Sequence, residues 1–139
     1  MEDGIFIYQY LNYASNVVFI NKCVYNYVQV ESSASHRYNV DQLNQYKKVI
    51  EKFTLLEPDE MFINYTIFEF LMTYISRGIK QNSNRKLFIK NIRNILLDDM
   101  YKKCMKTINI KFMHFKELIC YCLLKFKLYS ILYFICLVK

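Results

Sequence analysis

Two adjacent carboxylates, Glu2 and Asp3, stand ahead of an almost unbroken apolar and aromatic run over residues 5–14. Acids in the first turn of a helix complement the positive end of its dipole and accept from its unpaired N–H groups, so capping is the plainest chemistry for this pair. The second acidic pair, Asp98–Asp99, falls late, inside a stretch expected to be helical, where a solvated helix face is the expectation. His36 and Arg37 sit in the polar stretch "ESSASHRYN", which reads as a loop. Five cysteines (Cys23, Cys104, Cys120, Cys122 and Cys136) make an odd number with no C-x-x-C pair and no partner cluster at zinc spacing. They read as reduced, mostly buried thiols of a cytosolic protein, and no protein metal site is expected. The acidic N-terminus carries no positively charged n-region of a secretory signal.

The elements that must position these residues are mostly helical. With 2 Gly and 1 Pro in 139 residues, tight turns are scarce, which argues against a many-stranded sandwich or barrel. Residues 3–15 read as a helix that is apolar nearly all round and therefore buried in a larger body. A β-branched and aromatic run at residues 17–20, a turn at Asn21-Lys22 and an alternating run at residues 24–28 read as a short strand pair. Beyond residue 40 the periodicity is helical. Leu43, Tyr46, Val49/Ile50, Phe53 and Leu56 fall at helical spacing, and a second helix opens at Pro58 and should stop at Gly78. A third starts near Ser83 or Asn84 and carries Leu87, Ile92, Ile95 and Met100. The expected fold class is therefore α+β, predominantly α-helical: one N-terminal helix, a β-hairpin-like strand pair, then four or five helices.

The order "ED-x-x-F", "YLNYA", "VVFIN", "VYNY" and "SSAS" over residues 2–35 resembles the C-terminal part of the catalytic domain in bacterial family 2 glycosyltransferases of the GT-A fold. The resemblance covers about the first forty residues, so residues 1–40 are expected to be a remnant of that catalytic domain. It implies that Asp3 is the general base that takes the proton of an acceptor sugar hydroxyl, which then attacks the anomeric carbon of a nucleotide-sugar with inversion. Glu2 would support it. A carboxylate at a helix N-terminus is held in place and kept ionised, which suits that task. His36 and Arg37 would face the diphosphate from the loop after the strands, while the frequent Arg after "Y-x-Y" is replaced by Val28. The family's nucleotide-binding half and its D-x-D motif, which holds a divalent metal (Mg or Mn), do not occur in this sequence. A truncated domain, inactive alone, is the expectation.

Charge is divided unevenly along the chain. Residues 1–69 hold 5 basic against 9 acidic side chains and residues 70–139 hold 14 against 3. The basic half suits an anionic membrane surface. Nucleic acid is not expected as a partner, because no reading motif or compact Arg cluster accompanies the charge. Residues 41–139 are expected to form a helical, basic region whose tail, about residues 112–139, associates with membrane. In that tail residues 118–138 are long enough to span a bilayer, but Lys125 and Lys127 fall near the middle, each costing roughly 2.5–3.5 kcal/mol at a bilayer centre. The tail is therefore expected to lie against a membrane or the protein, placing the chain at the cytoplasmic side of the cell membrane. The alternative to a glycosyltransferase fragment in cell-surface polysaccharide synthesis is a small non-enzymatic helical protein that binds membrane or a partner.

Overall fold

The computed structural model describes residues 2–23, 41–56, 59–81 and 84–137. The elements are α1 (Glu2–Tyr13), α2 (Gln42–Leu55), α3 (Glu60–Gln81), α4 (Arg85–Leu97), α5 (Asp99–Thr107), a 3₁₀ turn (Ile110–Phe112), α6 (Phe115–Lys125) and α7 (Tyr129–Leu137). Among the described residues there is no strand, so the fold is all-helical and the expected α+β class is corrected. Residues 17–20 run without a hydrogen-bonded neighbour strand, and Phe19 is 94% exposed. A β-branched run becomes a strand only by pairing, and a two-stranded hairpin with no sheet to join is marginal in water. The other half of the expected pair, residues 24–28, lies outside the described residues.

α3 is the centre of the bundle, with α2, α4, α5 and α7 packed around it. Its residues Ile67, Phe68, Leu71, Ile75 and Ile79 are all buried, at the three- and four-residue spacings that keep one face toward the core. The expected stop at Gly78 does not occur, since α3 continues to Gln81. A mid-helix glycine costs about 1 kcal/mol relative to alanine. Burying Ile79, one residue further on, outweighs that cost. One core runs from Ile50 on α2 to Cys136 on α7 and includes Tyr101, Cys104, Leu124 and Leu132.

Two helices replace the single one expected after Asn84. Asn84 is the N-cap of α4, its side chain accepting the Leu87 N–H at 3.1 Å. At Asp98 the backbone turns extended (φ −66°, ψ 134°), ending α4, and the same side chain caps α5 by accepting the Met100 N–H at 3.2 Å. Asp98 also ion-pairs with Lys47 of α2. It is therefore a junction between three helices, where a solvated helix face was expected.

The tail folds back as α6 and α7, and Cys120, Leu124, Leu132, Tyr133 and Cys136 enter the core. Among the described residues no helix is long and apolar enough to cross a membrane. α6 ends in a two-bond reverse cap: Lys127 N–H donates to Leu124 O at 3.1 Å and Leu128 N–H to Leu123 O at 2.8 Å. That cap places Lys127 at φ 58°, the left-handed conformation for which glycine is ordinarily selected.

α1 is not buried as its composition led us to expect. Tyr8 seats it on the bundle, meeting the Phe53 ring edge-on at 5.9 Å and stacking on Phe62 at 6.0 Å. Gly4 lies close to the Phe53 ring as well. Phe6, Ile7, Tyr10, Leu11 and Tyr13 remain exposed.

Candidate functional site

Glu2 opens α1 and Asp3 follows in its first turn, so the acidic pair does stand at a helix start. The side chains of both lie outside the described residues, as do His36 and Arg37 entirely. What can be read is the setting. The helix after the pair turns an apolar surface outward, and residues 17–20 extend that surface with Val18 and Phe19 almost fully exposed. Monomers rarely leave apolar patches of this kind uncovered unless they meet a partner surface.

A second constellation arises from packing alone. The N-terminus of α6 abuts α3, bringing Glu117 to Tyr65 and Glu69. Tyr65 donates its hydroxyl to Glu117 Oε2 at 2.9 Å, and the His114 N–H donates to the same oxygen at 2.8 Å. The second bond is half of a capping box, with the residue three positions into the helix reaching back to the N-cap. Burial, then the neighbouring Glu117 charge and the hydrogen bond to it, raise the Glu69 carboxyl above its ordinary range, opposed by His114. Burial and the bond to Glu117 push Tyr65 up to about 12. Glu69 and Glu117 border a cleft of about 770 Å³ whose other walls include Ser76, Arg77 and Lys80. Such a pair can pass a proton, and it can equally serve only to tie α6 to α3. Sequence reasoning missed it because Tyr65 and Glu117 are 52 positions apart. The local signal that could have pointed to it is Glu117 three residues after His114, at the position of a capping-box glutamate.

A third feature is a groove of about 990 Å³ where α4, α5 and the α6–α7 turn meet. Its charged residues are Arg93, Lys102, Lys106, Lys125 and Lys127, and no carboxylate lines it. Leu96, Leu97, Met105 and Leu124 supply apolar lining. Lys125 bends onto Tyr121, donating to its hydroxyl at 3.2 Å and lying 5.2 Å from the ring centroid.

Among the described residues no three His, Cys, Asp or Glu side chains come together to hold a metal ion. No protein-family model, curated protein or solved structure matches the chain.

Proposed function

We propose that the chain is the acceptor-side segment and helical tail of an inverting glycosyltransferase, working peripherally at the cytoplasmic face of a membrane and completed by a separate nucleotide-sugar-binding half. The observation that carries this reading is α1: an acidic pair at the head of a helix that leaves Phe6, Ile7, Tyr10, Leu11 and Tyr13 exposed. A surface like that is expected where a further layer of protein packs. In the proposed chemistry Asp3 accepts the proton of the acceptor hydroxyl as the hydroxyl oxygen bonds to the anomeric carbon. The bond from that carbon to the nucleoside diphosphate breaks, and the diphosphate leaves with the electron pair. The missing half would supply the charges that stabilise the diphosphate, the larger electrostatic contribution to such a reaction. Glu2 would orient the acceptor.

The test is the coding sequence immediately upstream, followed by expression of both parts as one polypeptide. Alternating strand and helix patterns with a D-x-D are expected there. In the joined protein Asp3→Asn should lower sugar transfer by about 10²–10⁴-fold, the usual contribution of a general base, while donor binding persists. Unrelated upstream sequence, or an Asp3→Asn protein with undiminished transfer, overturns the proposal. The single core shared by α2–α7 favours a second reading, a non-enzymatic helical protein that binds membrane or a partner. Cooperative unfolding of a monomeric chain with no tendency to aggregate would support it.

A further inference from the structure

The groove between α4, α5 and the α6–α7 turn combines cationic side chains with an apolar floor, and that pairing selects a class of partner. Among the described residues no carboxylate ion-pairs with Arg93, Lys102, Lys106 or Lys127; the two ion pairs seen are Lys47–Asp98 and Lys103–Glu60. A surface helix normally intersperses acids with its lysines. Here α4 has no acid within it, α5 has only Asp99, and the groove has none. Concentrated positive charge beside open apolar volume suits a molecule with a negative head and a hydrocarbon body.

Two further observations point the same way. Lys127 occupies the one left-handed position among the described non-glycine residues, directly at the groove. A glycine would fit the backbone there without strain, and the residue that stands there is a lysine whose charge lies at the groove. Around the groove the chain leaves large apolar side chains in solvent: Leu97 within it is 76% exposed, and Phe126 and Leu128, flanking Lys127, are 68% and 45% exposed. Apolar side chains set beside lysines are what an interfacial protein inserts at the headgroup boundary while its cations meet lipid phosphates.

We infer that this groove is the membrane-docking surface of the protein, and that its occupant is an anionic phospholipid. The lipid phosphate would be held by Arg93, Lys102, Lys106 and Lys127, and the upper acyl segment would lie on Leu96, Leu97 and Met105. This rests on the membrane-peripheral part of the proposed function and names the surface responsible. It does not depend on the glycosyltransferase chemistry.

The test is co-sedimentation of the full chain with vesicles of phosphatidylcholine alone and of phosphatidylcholine containing about a third phosphatidylglycerol, at two salt concentrations. Binding to the anionic vesicles is expected, weakening with salt and absent from neutral ones. Lys102→Glu/Lys106→Glu/Lys127→Glu should lower the affinity by more than about tenfold, since each cation near an anionic leaflet contributes severalfold. Lys48→Glu/Lys52→Glu on the exposed face of α2 changes the net charge by four units against six and should lose far less than two thirds as much binding free energy. Leu97→Ser should weaken binding without altering its salt slope. Circular dichroism and thermal melting establish that each variant folds. If the α2 variant loses as much as the groove variant, the groove assignment is overturned while the membrane reading stands. If the unaltered protein ignores anionic vesicles, both fall. Binding abolished by millimolar inorganic phosphate, or transferred to RNA in preference to vesicles, overturns the choice of a lipid occupant.

Discussion

Replacing Lys127 by glycine tests both the backbone geometry and the docking surface. Lys127 holds φ 58° because the reverse cap of α6 needs a left-handed residue there, closed by its own N–H to Leu124 O and by Leu128 N–H to Leu123 O. For an L-residue that conformation costs roughly 1–2 kcal/mol, which glycine avoids. Glycine in turn gains freedom in the unfolded chain worth about 0.4–1 kcal/mol, so the net stabilisation is about 0.5–1 kcal/mol. For a chain of this size that is a rise in melting temperature of about 2–4 °C. Lys127→Ala keeps the strained backbone and should leave stability nearly unchanged, which separates relief of strain from loss of charge. Denaturant unfolding followed by circular dichroism gives the energies directly. The same Lys127→Gly protein should bind anionic vesicles several times more weakly. A glycine variant no more stable than the alanine variant would refute the argument from the backbone. Undiminished vesicle binding would refute the role given to the charge.

Three other outcomes follow from the buried groups. Glu69 has a raised folded-state pKa, so its ionised form disfavours folding; its contribution to stability is present at low pH and lost as pH rises through the folded value. Glu69→Gln should therefore melt higher than the parent at pH 8 and converge with it near pH 4, and a gap that persists at pH 4 would contradict the assignment. The Tyr101 hydroxyl is buried and has no hydrogen-bond partner among the described residues, so Tyr101→Phe should stabilise the protein by about 1 kcal/mol in a denaturant titration. The Cys104 thiol, donating to Asn64 O at 3.2 Å and pushed by burial to about 12, should resist iodoacetamide at neutral pH until the protein unfolds, as read by mass spectrometry.

Much of the helical architecture was legible because apolar residues recur at helical spacing from Leu43 onward. Asn84, Glu60 and the acidic first turns also carry signals that act within a few residues. What was not legible depended on partners distant in the chain. Residues 17–20 have strand composition, yet composition cannot provide the neighbouring strand. Gly78 carries a stop signal, yet the burial of Ile79 overrides it. Asp98 looked like one more polar position on a long helix, because its ion pair with Lys47 is invisible at a separation of 51 residues. The Glu69–Glu117 pair was hidden for the same reason. The basic groove was visible only as an excess of charge in the second half of the chain, since the helix junctions decide which lysines share a face.

The Asp98 junction has a bearing on how the groove would meet a ligand. Because this single residue terminates α4, caps α5 and is anchored to α2, no flexible spacer separates the two helices that carry Arg93, Leu97, Lys102 and Lys106. The relative placement of the two helix backbones is thus set before anything arrives, and little backbone entropy is left to be lost on association. Relaxing that corner, for instance with Asp98→Gly, would let the two walls swing independently. Affinity would then fall because association would have to order the two walls, with every side chain that touches the ligand still in place.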